Sequence, residues 1–289
     1  MDFFIDNKEQ NLYATTKRNG STLLSEISTK ADNLVQIDLT TFANILADNK
    51  SVKIYAPIRD PNTRFKSGLA VNLYNRSNGV INIINDEVLM LFKHMITYFE
   101  NSIVESGKLL SIYPVRPFHL YDPHCDHWLG TLMIFSSLNY DLVPIPMNMF
   151  SSHLMDRFPE GIDYIKNRER QDSFDQAKPE YERLWDVYKE VIDVASFDKW
   201  MSPELEIFNM LMSHTGTELN DRSFNCLNDL LDRKIYFNDL YSPNMQTMFT
   251  IVQELSSRKL TTDRLDQFLA LYQTIKDRSY KVLTIEIPV

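Results

Sequence analysis

Between residues 11 and 75 the chain repeats one pattern, a short β-like segment followed by a helix-like one. Asn11–Thr16 (NLYATT) reads as a strand, Lys17–Ser21 as a polar turn and Thr22–Thr29 as a helix. Leu34–Leu39 (LVQIDL) reads as a second strand, followed by a short helix over Thr40–Ala47 that Asp38 or Thr40 can cap. Val52–Ile58 (VKIYAPI) reads as a third. Pro61 then opens a helix to about Asn75, where its missing N–H costs little. This alternation predicts an α/β fold with a central parallel sheet flanked by helices. Such sheets bind ligands outside the carboxyl ends of their strands. The Lys17–Ser21 turn, Asp38 and Arg59 all fall at those ends.

The remainder reads as mainly helical. Asp86–Glu105 carries Val88, Leu91, Phe92, Met95 and Phe99 at helical spacing. Pro114 and Pro117 interrupt, and Asp126–Leu138 resumes as a helix. Leu142–Met147 (LVPIPM) is expected as a short edge strand, because its prolines cannot join a central ladder. Helical segments continue from Lys178, and Tyr280–Ile287 reads as a last strand. No linker divides the chain, so one domain over 1–289 is expected, with a ligand-binding core at about 10–150 and a helical subregion at about 151–289.

A chain of 289 residues can bury a large core without staples. Cys125 and Cys226 form neither a disulfide framework nor a zinc cluster, which favours a reducing compartment. The opening MDFFIDNKEQ lacks the basic and apolar regions of a signal peptide, and no stretch has the length of a membrane span. A soluble, cytoplasmic protein without a membrane partner is therefore expected. The net charge of −9 argues against sequence-independent nucleic-acid binding, which needs basic surface. A local basic pocket built from Lys17, Arg18, Arg59 and Arg64 is compatible with that charge.

The run Thr16-Lys17-Arg18-Asn19-Gly20-Ser21-Thr22-Leu23-Leu24 joins a strand to a helix, where phosphate binding is physically easiest. The first N–H groups of a helix lack intrahelical partners, and its dipole places partial positive charge there. Gly20 allows close backbone approach, Ser21 and Thr22 add hydroxyls, and Lys17 and Arg18 add charge. The run lacks the G-x-x-x-x-G-K-[ST] of a Walker A loop. It resembles instead the 5′-phosphosulfate loop of sulfotransferases, [KR]-x-G-[ST]-[ST], with Arg18 at the basic position. Tyrosylprotein sulfotransferases have a P-R-S-G-[ST]-T-L form, from which this chain departs by having Lys17 in place of proline. Either Lys17 or Arg18 can then meet the bridging oxygen. The competing structural reading is a polar turn with a Ser or Thr cap.

A second motif, Ile58-Arg59-Asp60-Pro61-Asn62-Thr63-Arg64-Phe65-Lys66-Ser67-Gly68, resembles the 3′-phosphate motif of the same family, R-[DE]-P-x-x-R-[FL]-x-S. Arg59 offers a planar fork to a phosphate and Ser67 a hydroxyl. Arg64 reads as a structural ion-pair partner or solvated charge rather than a ligand. The resemblance covers residues 12–70 and is thin beyond them. It implies a P-loop-like fold that binds 3′-phosphoadenosine 5′-phosphosulfate (PAPS) and releases 3′-phosphoadenosine 5′-phosphate (PAP). The implied cofactor-binding residues are Lys17, Arg18, Asn19, Gly20, Ser21, Thr22, Leu23, Arg59 and Ser67, with Arg18 also catalytic.

Two residues are candidates for the base. Asp38 ends the second strand on the same sheet edge, near where tyrosylprotein sulfotransferases carry a catalytic glutamate; its competing role is an N-cap. His124 lies in Tyr121-Asp122-Pro123-His124-Cys125-Asp126-His127-Trp128, which resembles the D-x-H-x-x-P-Q or H-W segment of carbohydrate sulfotransferases. That cluster also suggests a metal, but sulfotransferases of this kind need none, so none is expected. His94, His119, His153 and His214 read as satisfied surface or core histidines. The resemblance implies transfer of a sulfuryl group to a hydroxyl-bearing acceptor, a carbohydrate first, with protein tyrosine or a small alcohol as other options. Golgi carbohydrate sulfotransferases carry a membrane anchor that is missing here, which points to a bacterial or viral enzyme. A non-catalytic nucleotide-binding module of the same fold is one alternative. A nucleotide kinase is another, disfavoured by the missing GK[ST].

Overall fold

The computed structural model describes residues 1–16, 19–49, 51–76, 85–93, 125, 128–137, 140–171, 178–191, 194–213, 243–258 and 270. Five described strands form one sheet: β1 (Asp2–Asp6), β2 (Asn11–Thr15), β3 (Leu34–Ile37), β4 (Lys53–Ile58) and β5 (Asp141–Pro146), in the order β3-β1-β2-β4-β5. The helices are α1 (Ser21–Ile27), α2 (Leu39–Asp48), α3 (Pro61–Arg76), α4 (Leu129–Ser137), α5 (Met147–Arg157), α6 (Ile162–Gln171), α7 (Lys178–Val191), α8 (Val194–Ser213) and α9 (Pro243–Ser257). Residues 86–93 are also helical, and a 3₁₀ turn, Pro159–Gly161, joins α5 to α6. The expected elements in this set are present with ends shifted by a few residues, as helix ends fray. The expected strand Tyr280–Ile287 lies outside the described residues.

The fold is α/β, but its sheet is mixed rather than parallel. β1 pairs antiparallel with both β2 (Phe4↔Tyr13) and β3 (Phe3↔Ile37), whereas β2–β4 and β4–β5 are parallel. β1 thus runs against the other four described strands. The sequence pattern hides it because Phe3, Phe4 and Ile5 are buried on both faces and show no alternation. Its turn into β2 is local: Asp6 Oδ1 accepts from the N–H groups of Lys8 (3.0 Å) and Glu9 (3.3 Å), and Gln10 takes a left-handed conformation (φ 56°). Among the described strands β5, with Pro144 and Pro146, takes a sheet edge as expected.

Successive side chains enter opposite layers. Phe4, Tyr13 and Tyr55 pack with Leu24 and Ile27 of α1, Phe150 and Leu154 of α5, and Ile165 of α6. Phe3, Leu12 and Ile54 pack with Phe42 of α2, Phe135 of α4, Leu211 of α8 and Ile251 of α9. A third cluster joins Phe65 and Leu69 of α3 to Leu184 and Tyr188 of α7 and Phe197 and Met201 of α8. Lys66–Glu182 and Lys93–Glu190, both at 2.6 Å, and Arg183–Asp86 bind α7 to α3 and to residues 86–93. Exposed pairs of this kind add little stability. Among the described residues no helix is long and apolar enough to cross a membrane.

Candidate functional site

The parallel register Tyr13↔Tyr55, continued along both strands, sets Thr16 level with Ile58. The turn after β2 and the Arg59-Asp60-Pro61 step after β4 therefore leave neighbouring strands at one edge. Ile58↔Pro146 brings the start of α5 to that edge as well.

Gly20 makes the turn. Its φ of 79° and ψ of 0° are left-handed, and a β-carbon there would stand 2.5 Å from Phe150 Cε1. It opens α1 without a side-chain cap, so the first turn of the helix is not closed by a serine or threonine as the competing reading had it. Ser21 is buried, Thr22 exposed and Leu23 half-buried against the α1–α5 layer. Lys17 and Arg18 lie outside the described residues.

Asn19 is fully buried, and each of its described bonds goes to the protein. Its N–H donates to Thr16 O (3.1 Å) and its carbonyl accepts from Thr15 Oγ1. With the amide oriented to match its donors, Asn19 Oδ1 accepts from Arg64 Nε (3.1 Å) and Trp128 Nε1 (2.9 Å). The residue expected among the ligands of the nucleotide thus points into the molecule. Arg64, read as an ion-pair partner or solvated charge, is 3% exposed and holds the turn.

Arg59 is half-buried at the end of β4. Asp60 caps α3, its Oδ1 accepting from the N–H (2.8 Å) and hydroxyl (2.9 Å) of Thr63. Ser67 is fully buried on the same helix. Gly20, Ser21, Thr22 and Arg59 are thus gathered at one edge.

Asp38 also ends its strand at this edge, but β1 separates β3 from β2, so two strand spacings, about 10 Å, intervene. Its carboxylate caps α2, accepting from Thr41 N at 2.7 Å. The Thr41 N–H, with its hydroxyl, holds the carboxyl below its ordinary range. A carboxylate stabilised in its charged form is a weak base. His124, Asp126 and His127 lie outside the described residues; Cys125 is buried.

Glu204 is buried on α8, and its Oε1 accepts from the N–H groups of Trp128 (2.8 Å) and Leu129 (3.0 Å) at the start of α4. Nothing in the sequence marks Glu204, whereas the R-[DE]-P-x-x-R spacing already singles out Arg64.

A second polar cluster lies beneath α5, where His153 is satisfied as expected. His153 Nε2 and the Tyr13 hydroxyl are 3.1 Å apart, and Arg157 Nη2 donates to the Tyr55 hydroxyl at 2.8 Å. Arg157 also pairs with Glu9, beside the buried Asp6. Burial drives the His153 imidazole down to about 4, with Arg157 adding to the effect. Burial likewise raises the Tyr13 phenol far above its ordinary value. Among the described residues no group of three or more His, Cys, Asp and Glu side chains is placed to hold a metal ion. Comparison of the chain with family models, with curated proteins and with solved structures finds no match.

Proposed function

We propose that this chain is a PAPS-dependent sulfotransferase of P-loop-like type, transferring a sulfuryl group to a hydroxyl, a carbohydrate acceptor first. The observation that supports the reading is the parallel pairing of β2 with β4. It gathers a left-handed glycine turn that opens a helix and an arginine that closes the next strand. This donor set suits a ligand with a phosphate at each end: Gly20, Ser21 and Thr22 toward the 5′ side, Arg59 toward the 3′ side. Arg18 and Lys17 would add charge where the leaving phosphate develops it. Positioning and charge stabilisation then supply most of the catalysis, as in phosphoryl transfer.

Calorimetry with PAP tests the reading. Wild-type protein should bind, and Arg59→Ala should weaken binding by about 10- to 150-fold, the worth of a charge-assisted hydrogen bond of about 1.5–3 kcal/mol. No binding by wild type at millimolar PAP sinks it. The capping role and lowered pKa of Asp38 favour a second reading, a module that binds the nucleotide without transfer. Transfer of labelled sulfate to a panel of sugars, peptides and small alcohols separates the two. Turnover that disappears in Asp38→Ala or His124→Ala excludes the second; binding without turnover supports it.

A further inference from the structure

We propose that Asn19, Arg64 and Trp128 form a buried latch that fixes the spacing between the two phosphate-binding ends, with Arg64 and Trp128 as positioning residues. The inference rests on the nucleotide-binding reading above and specifies what holds that site in shape. All three side chains are at least 97% buried. Asn19 is the residue just before the left-handed Gly20, and Arg64 lies in the first turns of α3, the helix that Arg59 leads into. The Arg64–Asn19 bond at 3.1 Å therefore ties the 5′ turn to the 3′ helix. Trp128 ties the same oxygen to α4 at 2.9 Å, and Glu204 holds the Trp128 main chain from α8.

Such a latch matters for a ligand that touches both ends and little for one that touches only the 5′ turn. It spares such a ligand the cost of bringing the two ends to their bound separation, the general source of gain from preorganisation. The latch should therefore set the preference for PAP over 5′-AMP, which lacks the 3′-phosphate.

The test compares wild type with Arg64→Met, which keeps the stem and removes the donor, and with Trp128→Phe, which removes the indole N–H together with part of the ring. PAP and 5′-AMP affinities are measured by calorimetry, and amide exchange is followed at Asn19 and Leu24 and over β1. Arg64→Met and Trp128→Phe should weaken PAP at least tenfold and 5′-AMP less than threefold. They should also speed exchange at the hydrogen-bonded N–H groups of Asn19 and Leu24 at least tenfold, with β1 unchanged. PAP affinity and exchange at wild-type values in Arg64→Met overturn the latch. If that variant does not fold, the same comparison in Trp128→Phe decides. If wild type binds no PAP, the sulfotransferase reading falls, and the exchange rates alone decide whether the latch exists.

Discussion

Gly20 carries two constraints that no other residue type meets together. Its φ of 79° costs an L-residue roughly 1–2 kcal/mol. A methyl group there would press on Phe150 Cε1 at 2.5 Å, and overpacking of this kind costs about 1–3 kcal/mol. Gly20→Ala is therefore expected to lower the unfolding free energy by about 2–5 kcal/mol, read from urea denaturation. Adding Phe150→Leu should return only the steric share, because the dihedral cost remains. A single variant with the wild-type midpoint would show that the turn relaxes freely. The glycine itself is legible in the sequence, as a glycine between a polar turn and a helix. Phe150 is not, because the contact joins distant parts of the chain. Asn19 shows the converse limit. A polar residue in a polar turn reads as exposed, and only the folded chain reveals that two buried donors, Arg64 and Trp128, converge on it.

At the level of elements, α5 is fastened to β2 and β4 by His153, Arg157 and two tyrosines. This fastening has a pH dependence with a definite sign. His153 titrates at about 4 in the folded chain, against 6.5 for an ordinary histidine. The unfolded chain thus binds the extra proton first, and stability falls as pH drops from about 6.5 toward 4. The groups facing His153 are Tyr13, Tyr55 and Arg157, with Glu9 and Asp156 opposing the shift. Urea midpoints at pH 7 and pH 5 should differ in wild type, and the difference should shrink in His153→Phe. An equal slope in both proteins removes His153 as its source. Strands flanked by clear helical patterns, such as β2 and β4, are readable because each alternates with a covering helix. β1 is not, since its short apolar run Phe3-Phe4-Ile5 carries neither period. That omission turned a mixed sheet into an expected parallel one. It also brought Asp38 closer to the glycine turn than β1 allows, because strand order cannot be read from sequence spacing.

Across the whole molecule, α8 joins two of the three cores. Its first half contributes Phe197 and Met201 to the cluster on α3, and its second half Ile207 and Leu211 to the sheet. Glu204 lies between the halves and caps α4. A helix shared in this way couples the two cores, so they should unfold together. Tryptophan fluorescence reports on Trp128 in the sheet core, Trp185 beside the α3 cluster and Trp200 on α8. Its urea transition should coincide with that of far-ultraviolet circular dichroism. Separate midpoints would show that the α3 cluster opens by itself. None of this coupling shows in composition or periodicity, which report only that a large core exists.

The turn between β1 and β2 has a consequence for the order in which the protein is made. β1, β2 and β3, with the turn at Gly20, are all contained in the first 37 residues. Their pairing closes short loops, the kind of contact that forms fastest. Synthesis proceeds from the amino terminus, so this part of the sheet leaves the ribosome before α5 has been translated. The glycine turn is thus drafted early, while Arg64, Trp128 and Phe150 arrive later to set its final form.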